Sequence, residues 1–236
     1  MKLKTAMVLA AGRGVRMRPL TLDRPKPLVS VAGKLLIDYS IDALKRAGIE
    51  RIVVNTHHFS DQMAAWAGAR KDQGIVLSDE SDLLLDTGGG VVKALPLLGH
   101  EPFVVVNSDS FWRDGPEPAI GRLAAAFDPA RMDALLLLSS HNQAVGFEGP
   151  GDFHMDALGR LRRRGDDPTA PFIFAGCHIL DPQLLENAPE GPFSMNFAWD
   201  KALAKGRLHG LRHDGPWLHV GTPEAIPIAE EALEAL

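Results

Sequence analysis

A segment rich in glycine and arginine follows the first apolar run of the chain. Residues 9–28 read LAAGRGVRMRPLTLDRPKPL, and between positions 13 and 26 they hold five basic side chains and one acid, a local charge of +4. Arginine forms paired hydrogen bonds with phosphate oxygens, lysine adds a compact positive charge, and glycine lets backbone N–H groups approach an anion closely. These residue types predict a binding site for a polyphosphate. The basic residues are Arg13, Arg16, Arg18, Arg24 and Lys26.

Two common phosphate-binding motifs do not account for this segment. Gly12 and Gly14 begin a dinucleotide fingerprint, but Met17 stands where its third glycine belongs, and the prolines at 19, 25 and 27 prevent the helix that it needs. The string of a P-loop is absent from the sequence. A flexible basic surface loop is the alternative. Ligand binding is favoured because ligands of open α/β sheets lie beyond the carboxyl ends of the strands, where this segment begins.

A second candidate lies at the end of another apolar run. Residues 104–112 read VVVNSDSFW, so Asn107 and Asp109 follow a hydrophobic strand directly. A carboxylate at such a position suits Mg²⁺, which binds one or two carboxylates together with substrate phosphates. A turn or a helix cap explains the same residue types, and the residues alone leave both interpretations open.

The segment SDESDLLLDTGGG (78–90) joins a predicted strand to a predicted helix. The Glu80 side chain could accept hydrogen bonds from a base or a ribose. The glycines from Gly88 to Gly90 allow a close approach of the backbone and offer N–H groups at the start of a helix. A flexible turn is the competing interpretation.

Apolar patterning predicts the elements that position these residues. Short apolar runs predict strands at 5–10, 51–56, 75–78, 103–107 and 134–140. Helical spacing predicts helices at 36–47, around 59–66 with Ser60 as cap, and at 90–98, 117–127 and 222–235. This alternation is typical of βαβ units, so we expect one α/β domain with a mixed, mostly parallel sheet flanked by helices. After residue 140 the pattern loosens, with 141–170 as a possible insertion or lid and 171–180 as strand.

Composition excludes several classes of protein. The 236 residues carry 25 basic and 30 acidic side chains, a net charge of −5, which disfavours a general nucleic-acid binder. No apolar run is long enough for a transmembrane helix, so we expect no membrane partner. The single cysteine, Cys177, excludes an internal disulfide and a cysteine-based zinc site and is expected to be buried. A cytoplasmic protein is the natural prediction, as a monomer or a small homo-oligomer.

Residues 9–28 resemble the signature of the sugar-1-phosphate nucleotidyltransferases, L-A-x-G-x-G-x-R-[LM]-x-P-L-T followed by P-K-P-[LM]. Similarity continues through TGGG (87–90), VVNSD (105–109) and WLHVGTPE (217–224). The resemblance implies a Rossmann-like nucleotide-diphospho-sugar transferase domain over 1–236, with a nucleotide half at 1–110 and a sugar half at 111–236. It implies that a nucleoside triphosphate and a sugar 1-phosphate react to a nucleotide-sugar and pyrophosphate, with Mg²⁺ as cofactor.

The resemblance also implies roles for individual residues. Arg16 contacts the leaving pyrophosphate, Lys26 contacts the reacting phosphates, and Asp109 binds Mg²⁺. The implied nucleotide-binding set is Leu9, Ala10, Ala11, Gly12, Arg13, Gly14, Arg16, Lys26, Glu80, Gly88, Asn107 and Asp109. The implied set on the sugar side is Asn142, Asp152, Gly176 and Trp217. Trp217 and Trp199 are also candidates for the hydrophobic core.

One position departs from the family. The family motif W-x-D-x-G-T carries a second metal-binding aspartate, and His219 stands in its place. A neutral imidazole is a softer ligand than a carboxylate and suits Mg²⁺ poorly. Three alternatives remain: a single Mg²⁺ carries the chemistry, His219 contacts a phosphate or a metal, or the protein is weakened or inactive.

Within the family, the segment TGGGVVKALPLLGHEPFVVVNSD and the string GDF (151–153) most resemble uridylyltransferases that act on N-acetylmuramate α-1-phosphate in bacterial cell-wall recycling. The hexapeptide repeat of many larger relatives does not occur. Guanylyl- or cytidylyltransferases for mannose, heptose or another sugar phosphate share most of these motifs. A regulatory protein that binds a nucleotide-sugar without catalysis is the alternative from another class, and His219 is its best support.

Overall fold

The structure is a computed structural model that describes residues 2–235. The α-helices in this range are α1 (Leu36–Arg46), α2 (Ser60–Gly68), α3 (Asp86–Leu98), α4 (Ala119–Ala126), α5 (Asn196–Ala204) and α6 (Ala225–Glu234). The strands are β1 (Thr5–Leu9), β2 (Ser30–Val31), β3 (Lys34–Leu35), β4 (Arg51–Thr56), β5 (Ile75–Asp79), β6 (Phe103–Asn107), β7 (Ser110–Trp112), β8 (Ala134–Ser140), β9 (Ala144–Val145), β10 (Phe153–Met155), β11 (Leu161–Arg163), β12 (Phe172–Leu180), β13 (Leu208–Arg212) and β14 (Trp217–His219).

The main sheet runs in the order β5-β4-β1-β6-β12-β8-β13. Strands β5, β4, β1 and β6 are parallel to one another, so their carboxyl ends meet at one edge. Strand β12 is antiparallel to both β6 and β8, and β10 and β11 extend the sheet from the start of β12. The predicted α/β fold with a mixed, mostly parallel sheet and flanking helices is confirmed.

The central strands are apolar on both faces because helices cover both sides of the sheet. Along β1 and β6, Val8 and Val104 belong to one hydrophobic cluster and Met7 and Val105 to the other. These side chains alternate between the faces because successive residues of a strand point in opposite directions. Helix α1 packs Ile37, Ile41 and Leu44 into the first cluster, as their helical spacing predicts.

A third hydrophobic cluster connects the glycine-arginine segment with the end of the chain. Met17 is fully buried and packs with Phe111 of β7, Leu218 of β14, Val220 and Ala229 of α6. Phe111 and Leu218 belong to a separate small sheet with the strand order β7-β14-β9. The polar loop therefore has an apolar anchor, whose packing partners include residues of β14 and α6 that are distant from it in the sequence.

The structure corrects several local predictions. Helix α3 begins at Asp86, four residues before the predicted start at 90. Ser60 is the first residue of α2 and not its cap; the preceding Phe59 has a φ of 56° and, within residues 2–235, caps the helix without a side-chain hydrogen bond. Helix α5 and the short strands after residue 140 have patterns too brief to be recognised in isolation. Cys177 is fully buried on β12, as predicted. Within residues 2–235, every helix is too short or too polar to cross a bilayer.

His178 of β12 is a buried titratable residue in this fold. Its side chain is 1% exposed and lies among Phe174 and Trp199, with ring centroids 5.7 and 5.4 Å away. Neither ring nitrogen has a hydrogen-bond partner in the described part of the chain. Burial disfavours the charged imidazolium and lowers the pKa of His178 from its usual 6.5 to about 3.

We expect His178 to make the folded protein sensitive to acid. The unfolded chain takes up a proton below pH 6.5 and the folded chain does not until about pH 3, so stability present above pH 6.5 is lost as the pH falls. Between pH 7 and pH 5 this one residue lowers the free energy of unfolding by about 2 kcal/mol. Urea unfolding at pH 7 and pH 5 should show that His178→Leu loses less free energy of unfolding between these pH values than the wild type does. The exposed control His100→Leu should keep the wild-type loss; equal losses in all three proteins would contradict the assignment.

Candidate active site

A cavity of about 520 Å³ opens where β1 and β6 end. This volume lies within the usual range for small-molecule sites. Its walls come from the glycine-arginine segment, from the ends of β4 and β6, and from the segment that begins α3. The lining residues are Leu9, Ala10, Ala11, Gly12, Lys26, Pro27, Asn55, Leu84, Asp86, Thr87, Asn107, Ser108, Asp109 and Pro192.

Lys26 and Asp109 form an ion pair inside this cavity. Lys26 Nζ lies 3.1 Å from Asp109 Oδ2, and the two side chains are 11% and 30% exposed. Burial acts to raise the pKa of Asp109, but the charge and the hydrogen bond of Lys26, the charge of Arg16 and the nearby His219 ring outweigh it and lower that pKa overall. Asp109 is therefore ionised, and the pair presents one cation and one hard anion to a ligand.

The glycine-arginine segment folds over Lys26. Gly14 has a φ of 60°, and a Cβ there would lie 3.0 Å from Lys26 Cβ and 3.1 Å from Thr21 Cγ2. Thr21 Oγ1 donates a hydrogen bond of 2.8 Å to the Gly14 carbonyl oxygen and closes the turn. Position 14 requires glycine for this close approach, whereas Gly12 faces open space at the cavity wall.

The arginines of the segment remain available to an anion. Arg13, Arg16 and Arg18 are exposed, and within residues 2–235 none of them has a hydrogen bond or an ion pair through its side chain. The charge of Arg16 nevertheless reaches Asp109. Arg24 differs, because its Nε lies 3.1 Å from the carboxylate of the adjacent Asp23. Of the five predicted cationic residues, Lys26 lines the cavity, Arg16 is near enough for its charge to act on Asp109, and Arg24 lines a separate surface depression.

The segment before α3 is arranged differently from the sequence-based expectation. The Gly88 N–H donates to the Phe193 carbonyl oxygen at 2.8 Å, and a Cβ on Gly88 would lie 2.4 Å from the Phe193 ring. The N–H group of Gly88 is thus used within the protein, and the predicted offer of that group to a ligand is corrected. Asp86 and Thr87 line the cavity in its place.

Glu80 is fully buried behind the cavity wall and does not line it. Its Oε1 accepts a 2.7 Å hydrogen bond from Asn55 Nδ2, and its Oε2 accepts a 3.1 Å bond from the Leu85 N–H. Asn55, which the sequence interpretation missed, lies at the cavity wall and accepts a 2.7 Å bond from the Ala10 N–H. Its signal was available, because Asn55 is a polar residue near the carboxyl end of a buried parallel strand.

His219 lies beside Asp109 because β14 pairs with β7, the strand that directly follows Asp109. Strand β14 pairs antiparallel with β7 and sets His219 opposite Ser110, while the Val220 N–H donates to the Asp109 carbonyl oxygen at 3.0 Å. The His219 ring stacks on Trp217 with centroids 5.7 Å apart. Burial lowers the pKa of His219, the Asp109 carboxylate opposes this shift, and Lys26 and Arg16 reinforce it, so the pKa is lowered overall.

The residues expected on the sugar side do not line this cavity, as far as the described chain shows. Trp217 is 2% exposed and donates from Nε1 to the Ala175 carbonyl oxygen at 2.9 Å, so it packs beneath His219. Gly176, with a φ of 77°, lies where a Cβ would approach Ser110 Oγ to 2.3 Å. Asp152 Oδ2 accepts from the Phe174 N–H at 2.8 Å, and Asn142 is exposed next to β8.

The side chains at the site can hold a divalent cation only together with a ligand that supplies further oxygen atoms. Among residues 2–235, no group of three or more His, Cys, Asp or Glu side chains is placed to hold a metal ion. Asp109 offers an ionised, part-exposed carboxylate to the cavity. Magnesium binds through one or two carboxylates when substrate phosphates complete its ligand shell. The residues present therefore fit an ion that arrives with a phosphate-bearing ligand.

Comparison with known proteins agrees with this geometry. The profile of the family described as Nucleotidyl transferase matches residues 5–235. A Caulobacter vibrioides protein named N-acetylmuramate alpha-1-phosphate uridylyltransferase is 46% identical over 234 residues, which cover 98% of this chain and 97% of that protein. A Neisseria meningitidis protein of the same name is 36% identical over 225 residues, 92% of this chain and 93% of that protein.

A solved structure shares the fold. The inositol-1-phosphate CTP transferase from T. maritima superposes with a TM-score of 0.81, covering 100% of this chain and 96% of that one at 17% sequence identity. At this identity the likeness concerns the fold alone, and it agrees with the Rossmann-like nucleotidyltransferase fold expected from the motifs.

We expect His219→Asp to create a second carboxylate at the site. Two carboxylates attract a divalent cation more strongly than one, so binding of Mg²⁺ or Mn²⁺ without nucleotide should tighten by roughly tenfold or more. Titration calorimetry measures this affinity directly. His219→Asn is the matched control, being similar in size and neutral, and should not tighten binding. Equal affinities in the two variants would mean that position 219 does not face the ion.

Proposed function

Because the chain belongs to the nucleotidyl transferase family, we propose that it transfers the uridylyl group of UTP to N-acetylmuramate α-1-phosphate and releases pyrophosphate. The two bacterial relatives that it matches over nearly their whole length carry that activity in their names. The observation that carries the reaction type is the Lys26–Asp109 pair inside a cavity roofed by the glycine-arginine segment. Cell-wall recycling in the cytoplasm is the setting that fits this substrate pair.

The proposed reaction needs no covalent intermediate with the enzyme. An oxygen of the sugar 1-phosphate attacks the α-phosphorus of UTP, the bond between that phosphorus and the bridging α–β oxygen breaks, and pyrophosphate leaves with the electron pair. The protein contributes by holding both substrates in line and by neutralising charge on the phosphate oxygens.

Four polar residues in or near the cavity have roles in this proposal. Lys26 neutralises the reacting phosphates, and Arg16, whose charge reaches Asp109, holds the departing pyrophosphate. Asp109 would hold Mg²⁺ together with substrate phosphates; when bound, the ion neutralises phosphate charge. His219, with its lowered pKa, provides a neutral imidazole that can donate a hydrogen bond to a phosphate oxygen.

The nucleotide is proposed to occupy the half formed by residues 1–110 and the sugar phosphate the half formed by 111–236. The cavity lining supports the first assignment, because almost all of it comes from positions 9–109. The second assignment includes Asn142, Asp152 and Gly176 as neighbours of the sugar. A guanylyl- or cytidylyltransferase would use the same phosphate machinery, so the base and the sugar require a direct test.

We expect the purified protein with Mg²⁺ to release pyrophosphate fastest from UTP and N-acetylmuramate 1-phosphate. A coupled assay should compare UTP, GTP, CTP and ATP with this sugar, and then UTP with N-acetylglucosamine 1-phosphate and mannose 1-phosphate. The favoured pair should exceed each other pair in kcat/KM by at least about tenfold, or ~1.4 kcal/mol. A preference for GTP or CTP would replace the proposed substrate. Nucleotide-sugar binding without any pyrophosphate release would favour the regulatory alternative, which the replacement of the family aspartate by His219 supports.

Lys26→Ala should remove a charge that acts on the reacting phosphates. We expect kcat/KM to fall by the equivalent of ~2–4 kcal/mol, the scale for losing one such group. Lys71→Ala, an exposed lysine away from the cavity, is the matched control and should keep wild-type rates. Melting curves check that both variants remain folded. Activity of Lys26→Ala within about threefold of wild type would remove Lys26 from the mechanism.

A further inference from the structure

Glu80 is a buried carboxylate without a cation. Its side chain is 0% exposed, and within residues 2–235 it forms no ion pair with a lysine, arginine or histidine. Burying an unpaired charge is unfavourable, and a neutral side chain would cost the fold less. The reason for a carboxylate at this position lies in its two hydrogen-bond partners, because both of them are donors.

The hydrogen bonds around Glu80 have a fixed direction. The Ala10 N–H can only donate, so the oxygen of the Asn55 amide must face it, at 2.7 Å. That choice turns Asn55 Nδ2, also a donor, toward Glu80 Oε1 at 2.7 Å. The Leu85 N–H donates to Glu80 Oε2 at 3.1 Å. A group at position 80 must accept on both sides, which a carboxylate does and an amide does not.

This chain of bonds joins two parts of the cavity wall. Ala10 and Asn55 line the wall formed by the ends of β1 and β4. Leu85 follows Leu84, which lines the wall that leads into α3. Glu80 also extends this link through its own backbone, since its N–H donates to the Thr56 carbonyl oxygen at 2.7 Å.

Gly90 provides an independent observation on the same pair. A Cβ at position 90 would lie 2.7 Å from Glu80 Oε1 and 2.9 Å from Asn55 Nδ2. Both distances are shorter than real Cβ contacts allow, so both side chains would have to shift. The third glycine of the TGGG string is therefore explained by the space that the Asn55–Glu80 pair needs.

We propose that Asn55 and Glu80 are positioning residues that hold the two walls of the nucleotide cavity at the separation required by the nucleoside triphosphate. This proposal rests on the proposed function for the identity of the ligand. Neither side chain takes part in the chemistry at phosphorus. Their loss weakens the binding of the triphosphate and leaves the turnover of bound substrates largely intact.

Glu80→Gln and Asn55→Asp test the direction of the bonds singly. The first substitution leaves one donor facing another donor, and the second places two carboxylates against each other. In each we expect the KM for UTP to rise by about tenfold or more, with kcat and the KM for the sugar 1-phosphate within about threefold of wild type. A purely structural role would lower the active fraction and the melting temperature without this split.

The double variant Asn55→Asp/Glu80→Gln tests the proposal by rescue. The new carboxylate at 55 accepts from the Ala10 N–H and from the new amide at 80, and the oxygen of that amide accepts from the Leu85 N–H. Every donor then meets an acceptor again, and the negative charge has moved from position 80 to position 55. We expect the double variant to recover UTP binding to within about threefold of wild type.

Gly90→Ala provides a measurement that does not depend on the double variant. Alanine favours a helix more than glycine does, so α3 itself gains stability, while the added methyl group displaces the Asn55–Glu80 pair. The KM for UTP should rise as in the single variants. Gly121→Ala in α4 is the matched control, since a Cβ there meets no atom within 4 Å among the described residues, and its kinetics should match wild type.

Direct titration with nucleoside triphosphates separates this proposal from the proposed function. If the wild type binds GTP or CTP in preference to UTP, the substrate assignment fails, and the same variants are titrated with the nucleotide that the wild type binds best. If the single variants and Gly90→Ala bind that nucleotide like wild type, the positioning proposal is overturned. It is also overturned if the double variant is folded by its melting curve and binds no better than the single variants.

Discussion

The Lys26–Asp109 ion pair is the interaction on which the arrangement of the site depends. The two residues are 83 positions apart and meet at 3.1 Å. Lys26 reaches this position because Pro25 and Pro27 restrict the backbone around it and Gly14 allows the segment to fold over it. Asp109 reaches it because β1 and β6 pair in parallel and end together. A partly buried pair of this kind is costly to break from one side, since the remaining charge stays without a partner.

Much of the fold could be predicted because its signals are local. Continuous apolar runs identified β1, β4, β6 and β8, and helical spacing identified α1 and α6. The rule that ligands lie beyond the carboxyl ends of parallel strands then indicated the glycine-arginine segment as a binding site, and the resemblance to the family singled out Lys26 and Asp109. Strands of two or three residues, such as β9 and β14, carry too little pattern and exist because the rest of the fold pairs them.

The remaining parts of the site depend on contacts that no local pattern encodes. Pro192 lines the cavity from a position far along the chain, and Phe193 uses the N–H groups that the start of α3 was expected to offer a ligand. The residue type of Glu80 indicated a hydrogen-bond acceptor, but the orientation of its side chain depends on the hydrogen bonds that Asn55 and Leu85 donate to it. The assignments of individual residues to nucleotide and sugar are predictions.

The third hydrophobic cluster has a consequence for substitutions that lie outside the cavity. Met17 of the glycine-arginine segment shares this cluster with Leu218, Val220 and Ala229, which are distant from it in the sequence. His219 stands between Leu218 and Val220, so the same packing holds both the segment that folds over Lys26 and the imidazole beside Asp109. A substitution that loosens the cluster therefore disturbs two sides of the candidate site at once.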